Sequence, residues 1–494
     1  MSRIRKLKGD LLFESGERGL NLAQKATWGG AATIFAQAIT TVLGVVGTVV
    51  LARLLTPDDY GLIGMVMVIL GFAQMFKDAG LSMATVQRDR ISHDQISTLF
   101  WVNVLASIIL GVCIIALSPL ISKFYGRPEL TPITAALSIS FIISSVMIQH
   151  QALLNRHMWF GTLAIIQIAT HFVTLVTTIL FAIFGWRYWA LIIGAITSSL
   201  VSTVMTLYFC PWFPGKIRRG TGVRDMLKFG GDLTGFNFIN YFSRNLDNVI
   251  IGKFIGAYEL GIYDKSYQLF MMPISQIRAP LNRIALPVLS TLNGQPARFI
   301  KYYTRLVDIM ASISIPLTVY CAIEADFLIR FALGPQWLGV IPIFRILLIA
   351  GFLQAISGTA GLVQLSMGRT KQYLKWGMVG AVLFVSSFVI GLPFGIKGVA
   401  IAYVVANVII FFPTLWYCFL GSPVTVGLVI KTVAVPTLIS GIALIGALII
   451  RHSIYIKGLS EHFMFLFIFT LIIIGINSQR KSMKETLRLL QLGR

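Results

Sequence analysis

Apolar runs of roughly 20 residues, each long enough to cross a bilayer as a helix, recur along the whole chain and are separated by short polar segments. They predict about fourteen membrane spans, near 28–51, 61–81, 98–118, 132–152, 161–184, 188–210, 230–251, 260–284, 304–324, 340–364, 373–393, 398–419, 427–449 and 460–478. No loop between them is long enough to fold as a separate catalytic domain.

The pattern is doubled. Ala52-Arg53-Leu54-Leu55-Thr56-Pro57-Asp58-Asp59-Tyr60-Gly61-Leu62 returns as Gly252-Lys253-Phe254-Ile255-Gly256-Ala257-Tyr258-Glu259-Leu260-Gly261-Ile262. Each copy ends an apolar run that begins with a glycine pair, Gly29-Gly30 and Gly230-Gly231. Each places a cation at the membrane exit, an acid further on, and a glycine before the next run. A second echo pairs Phe184-Gly185-Trp186-Arg187 with Phe394-Gly395-Ile396-Lys397. Two similar halves imply two helical bundles around a cleft, the build of a secondary transporter. The expected organisation is an amphipathic cytoplasmic N-terminus at 1–25, a six-helix bundle at 26–212 and a basic cytoplasmic linker at 213–228. A second six-helix bundle at 229–420, two additional spans at 421–478 and a basic cytoplasmic tail at 479–494 follow.

Composition fixes the class. The 494 residues are 56% hydrophobic and 12% charged, with a mean hydropathy of +0.80. Soluble domains carry about 25% charged residues, so the chain reads as an all-α polytopic membrane protein. A net charge of +22 would suggest nucleic acid in a soluble protein. Here cationic loops account for it by holding helices in orientation, and no nucleic-acid partner is expected. More than half of the Lys and Arg fall in alternate loops, which places both termini in the cytoplasm. The linker is the richest, with Lys216, Arg218, Arg219, Arg224 and Lys228. The basic tail from Arg480 suits the anionic inner leaflet, and the basic stretch Arg3 to Lys25 is no signal peptide.

Some chemistry is missing. The chain lacks a phosphate-binding glycine loop followed by Lys and Ser/Thr, and it lacks His-Glu-x-x-His. Cys113, Cys210, Cys321 and Cys418 have no metal spacing and read as packing residues. His150 and His171 read as hydrogen-bonded structural residues. No cofactor or metal is expected, and a transporter is favoured over an enzyme.

Ionisable groups inside spans are costly and are usually functional or paired. The span near 230–251 puts Asn237, Asn240, Arg244, Asp247 and Asn248 on one helix face. The next span aligns Asp264, Gln268, Ser275 and Arg278, with Lys265 alongside and Arg283 towards the cytoplasmic end. The first span carries a milder stripe, Thr33, Gln37, Thr40 or Thr41, Gly44 and Thr48. The second ends in Lys77-Asp78-Ala79-Gly80, and the span near 340–364 carries Arg345, Gln354, Ser357, Gly361 and Gln364. Two readings stand. The charges form a salt-bridge network between helices, or they line a water-filled cavity. For the cavity the expected residues are Arg244, Lys265, Arg278, Arg283, Asn237, Asn240, Gln37 and Arg345. For ion coupling or pairing they are Asp247, Asp264, Asp78 and Lys77. Cations exceed acids, which suits an anionic ligand such as a pyrophosphate or an acidic sugar.

Several segments resemble the polysaccharide transporter family of Wzx-type exporters. They are Leu51 to Gly61, Asp78-Ala79-Gly80-Leu81, Gln151-Ala152-Leu153-Leu154-Asn155-Arg156 and Asn248-Val249-Ile250-Ile251-Gly252-Lys253. Met272-Pro273-Ile274, Pro287-Val288-Leu289-Ser290 and Phe331-Ala332-Leu333-Gly334-Pro335-Gln336-Trp337 extend the series over nearly the whole chain. The resemblance implies the multidrug/oligosaccharidyl-lipid/polysaccharide exporter superfamily, with two six-helix bundles in a V and extra C-terminal helices. It implies flipping of undecaprenyl-pyrophosphate-linked oligosaccharide, with membrane lipids, a coupling proton or sodium ion, and polymerase and chain-length proteins of the same pathway as partners. The alternatives are an ion-coupled multidrug exporter, a peptidoglycan-precursor flippase, and a membrane glycosyl polymerase or ligase.

Overall fold

The structure, a computed structural model, describes residues 21–78, 81–88, 91–217, 241, 245–453 and 459–478. Regular structure among them is helical throughout. A helix satisfies its own backbone hydrogen bonds, which hydrocarbon demands. The helices are α1 (Asn21–Leu54), α2 (Pro57–Asp78), α3 (Leu81–Gln87), α4 (His93–Tyr125), α5 (Leu130–Ser145), α6 (Ile148–Arg156), α7 (Phe160–Ile183) and α8 (Tyr188–Phe209). α9 covers 245–254. There follow α10 (Ala257–Thr291), α11 (Pro296–Ile323), α12 (Ala325–Ala332), α13 (Val340–Ser366), α14 (Thr370–Gly391), α15 (Gly395–Phe419), α16 (Val426–Ser453) and α17 (Leu459–Ser478).

Ten stretches of the described residues are long and apolar enough to cross a membrane, and one of them, Thr370–Phe419, contains both α14 and α15. α10 is not among the ten, because Asp264, Lys265, Gln268 and Gln276 lower its hydropathy. The span expected near 230–251 lies largely outside the described residues. The span expected at 132–152 is broken near Val146 into α5 and α6. Leu105, Ile109, Val112 and Leu120 of α4 are all exposed. Such continuous apolar faces belong in lipid rather than water.

Two compact units divide the chain, Met1–Gly261 and Ile262–Arg494. The division falls inside α10, whose first turn belongs with the first unit. From Arg218 to its end the expected linker lies outside the described residues.

In the first unit α1 packs on α7, α7 on α8, and α5 against α2, α4 and α8. Ile96, Leu99, Phe100, Leu153, Leu154 and Trp212 form its buried centre. Ser92 starts α4 through a reciprocal capping box with Gln95, and left-handed Gly126 ends it. α2 is capped in the same way: the Thr56 N–H and hydroxyl both donate to Asp59 Oδ2, at 3.0 and 2.8 Å. The neighbouring acids then take arginines from later turns. Arg127 Nη2 lies 2.7 Å from Asp58, and Arg187 Nε lies 3.4 Å from the buried Asp59.

In the second unit α11 packs on α13 and α16, and both α13 and α14 pack on α15. Tyr303, Ile315, Ile356, Val363, Leu415 and Phe419 are central. A smaller cluster of Tyr320, Ala443, Ala447, Phe465 and Phe469 joins α16 and α17 to α11. His462 Nδ1 of α17 hydrogen-bonds the buried Glu324 carboxylate between α11 and α12. The His462 ring stacks on Phe327 at 3.9 Å.

Candidate functional site

In the first unit the intramembrane charges sit within a buried polar network. Lys77 is buried, donates to the Ser144 hydroxyl and lies 5.0 Å from the centre of the Phe141 ring. Asp78 caps α3 by accepting from the Ser82 N–H at 2.9 Å. Asn103 of α4 donates to the Lys77 carbonyl at 3.1 Å and accepts from Gln149 of α6 at 3.0 Å. Gln149 in turn accepts from Thr85 at 2.8 Å. Arg156 donates to the Thr85 carbonyl at 2.9 Å and the Arg88 carbonyl at 2.5 Å. The network ties α2, α3, α4 and α6 together. In a low-dielectric interior such bonds reinforce one another and fix one packing. Lys77 and Asp78 therefore each have polar partners within this unit. His150 bonds the Val146 and Trp212 carbonyls at 3.0 and 3.1 Å, in keeping with its structural reading.

In the second unit the polar face of α10 runs from buried to exposed. Lys265 is buried, its Nζ 3.2 Å from Gln268 Oε1 and 5.7 Å from the centre of the Trp337 ring. Trp337 is fully buried at the end of the Phe331–Trp337 segment, so that segment supplies an aromatic face for the cation. Asp264 beside it is half-buried, as is Arg278 further along, and Gln268 is exposed. The Arg278 guanidinium lies across α13 at Gly358, where an added Cβ would be 2.7 Å from Nη1. This helix can therefore present positive charge beside small residues. Below it, Gln354 of α13 donates to the Tyr403 hydroxyl at 2.6 Å and to Asn407 Oδ1 at 3.0 Å.

Other expected residues lie apart. Arg345 is exposed and pairs with Asp326 at 2.5 Å, so its charge is balanced locally. Arg283 and Gln37 are exposed on α10 and α1. Asp247 of α9 is buried and accepts from the Asn248 N–H at 2.9 Å. Asn237, Asn240 and Arg244 lie outside the described residues. Among the described residues no group of His, Cys, Asp and Glu is arranged to hold a metal ion.

A family model described as polysaccharide biosynthesis protein matches residues 50–342, more than half of the chain. The chain belongs to that family. This polysaccharide biosynthesis protein is 28% identical over 357 residues to the teichuronic acid biosynthesis protein TuaB of Bacillus subtilis (strain 168), covering 70% of this chain and 72% of TuaB. It is 25% identical over 397 residues to the lipopolysaccharide biosynthesis protein WzxC of Escherichia coli (strain K12), covering 79% and 80% of the two chains. Its fold matches the lipid II flippase MurJ in an inward closed conformation, with a TM-score of 0.71 and 13% identity over 90% of this chain and 98% of MurJ. An inward-facing MATE family multidrug transporter of the MOP superfamily matches at a TM-score of 0.59 and 14% identity, over 79% of this chain and 98% of that one. The family member is thus a multi-pass membrane protein with a transporter fold.

Sequence reasoning overlooked the groups that complete these networks. Asn103, Ser144, Gln149 and Arg156 contact Lys77, Asp78 or Thr85 from helices far along the chain. Asn103 stands alone in its apolar run, whereas Ser144, Gln149 and Arg156 each have polar neighbours, Ser145, His150 and Asn155. Tyr403 and Asn407 carry an i, i+4 spacing, and the Asn407 amide donates back to the Tyr403 carbonyl at 2.8 Å. That spacing is their one legible signal.

Proposed function

We propose that the protein is a flippase that carries undecaprenyl-pyrophosphate-linked oligosaccharide repeat units across the bacterial cytoplasmic membrane by alternating access. It serves exopolysaccharide, capsule or O-antigen synthesis and moves its substrate without altering it. One coincidence carries the reading: a polysaccharide biosynthesis family member has the fold of a lipid II flippase over 90% of its length. The names of TuaB and WzxC attach those relatives to cell-surface polymers.

The chemistry of such a substrate fits the α10 face. A sugar-pyrophosphate head needs a polar, cationic path, and its lipid tail stays in hydrocarbon. Lys265 and Arg278 supply positive charge on one helix, with Arg244, Arg283, Asn237, Asn240 and Gln37 as further contacts. Asp247 or Asp264 binds the coupling proton or sodium ion. Both termini face the cytoplasm, and the repeats at 26–212 and 229–420 act as the two moving bundles. Charge on α10 is worth most where water is scarce, so binding of the head favours the state that closes around it.

Reconstituted vesicles test the reading. A fluorescent lipid-linked oligosaccharide is placed in one leaflet, and its headgroup is followed with a membrane-impermeant quencher. Protein-dependent, saturable transfer to the other leaflet is expected. Transport of a cationic dye without lipid transfer would overturn the reading in favour of a multidrug exporter. Elongation of the sugar chain by the pure protein would overturn it in favour of a polymerase.

A further inference from the structure

The second echo in the sequence carries its cation into two different settings. In the first unit Arg187 is held by Asp59. In the second unit Lys397 is exposed and has no carboxylate partner among the described residues. It stands instead at the rim of a groove of about 520 Å³ between α14 and α15. Leu383, Ile390, Val405 and Ile409 wall the groove, and Lys397 supplies its one charge.

The groove follows from residue size. A Cβ on Gly391 would be 2.6 Å from the Gly398 carbonyl oxygen, and one on Gly398 would be 2.4 Å from the Gly391 carbonyl oxygen. The two backbones therefore touch at this end. Beyond the contact, Ser386, Ser387, Ala402 and Ala406 are too small to fill the space between the helices. Its outward rim is apolar: Ile390, Phe394, Ile401 and Ile409 are all more than half exposed. Both helices belong to a membrane-crossing apolar stretch, so the trough lies in hydrocarbon. Lys397 sits by the turn between them, where a long cationic side chain reaches the headgroup layer.

We infer that this groove binds one anionic phospholipid, with an acyl chain along α14 and α15 and its phosphate on the Lys397 ammonium. The volume suits one acyl chain rather than a protein segment. A zwitterionic head would bring its own cation towards Lys397, so a net negative head is preferred. The site is separate from the α10 face and does not depend on what the protein transports.

The test uses the full chain in detergent with equal amounts of phosphatidylglycerol and phosphatidylcholine, and native mass spectrometry reads the retained lipid. The wild type should retain phosphatidylglycerol about fivefold over phosphatidylcholine, the bias of one cation near the membrane surface. Lys397→Ala should abolish the preference and Lys397→Arg should keep it. Ala402→Phe should fill the groove and reduce retention of both lipids at an unchanged melting temperature. Ser387→Leu makes the same test from the α14 wall if Ala402→Phe does not fold. Equal phosphatidylglycerol retention by wild type and Lys397→Ala, or by wild type and the groove-filling variants, would overturn the assignment. Displacement of phosphatidylglycerol by a much lower concentration of undecaprenyl phosphate would overturn the choice of occupant.

Discussion

Gly61 and Gly261 each sit against the backbone at the start of the other's helix. A Cβ on Gly61 would be 1.8 Å from the Ala257 carbonyl oxygen, and one on Gly261 would be 1.9 Å from the Pro57 carbonyl oxygen. The first turns of α2 and α10 thus cross backbone to backbone at equivalent positions of the sequence repeat. Gly61→Ala and Gly261→Ala should each force these turns apart and lower stability by at least the usual overpacking cost, about 1–3 kcal/mol. Thermal unfolding in detergent checks this. Wild-type melting in both variants would show that the crossing is loose.

Under alternating access that crossing closes in one state and opens in another. Spin labels at Leu54 and Phe254, both exposed and equivalent in the repeat, should report two distance populations. A lipid-linked oligosaccharide should shift their ratio, because a ligand moves an equilibrium only by binding one state better. A single distance that ignores the ligand would count against rocking bundles.

Arg278 should behave as a headgroup contact. Arg278→Ala should reduce flipping by about tenfold or more, the loss of one charge-assisted hydrogen bond of about 1.5–3 kcal/mol. Arg278→Lys should recover part of it. Equal protein levels with full transport in the alanine variant would leave Arg278 only a packing role against Gly358.

Arg345 should behave differently. Its pair with Asp326 is exposed on both sides, and exposed pairs contribute about 0.2–1 kcal/mol. Arg345→Ala should therefore lower the melting temperature slightly and leave flipping near the wild-type rate. A transport defect as large as that of Arg278→Ala would put Arg345 back among the substrate contacts.

The buried network of the first unit gives a coupling test. Asn103→Leu or Gln149→Leu alone strands a buried polar partner, at about 1–3 kcal/mol. The double variant should cost less than the sum, since it removes both ends of one hydrogen bond. Additive losses would mean that the two side chains act independently.

These residues also mark what a sequence can disclose. The repeat was legible because it is local, and the glycine in each copy was visible as a pattern. Its reason was not, since the carbonyl that requires Gly61 lies at Ala257, in the other copy. Lys77 and Asp78 stood out as charges in an apolar run, yet their partners come singly from α4, α5 and α3. Glu324 and His462 are 138 residues apart, and neither shows a periodic signal. Arg345 stood out as a cation in an apolar run, while its partner Asp326 lies on the preceding short helix. Helices announce themselves by period, whereas long-range hydrogen-bond partners need the fold.

Asp58 and Asp59 gather two distant turns of the first unit at the start of one helix. A chain is made from its N-terminus, so both acids leave the ribosome well before their partners. Arg127 follows Asp58 by 69 residues, and Arg187 comes later still. The start of α2 is thus an early anchorage with two vacant berths. Both the turn after α4 and the turn before α8 are thereby moored to one point of the bundle, the start of α2.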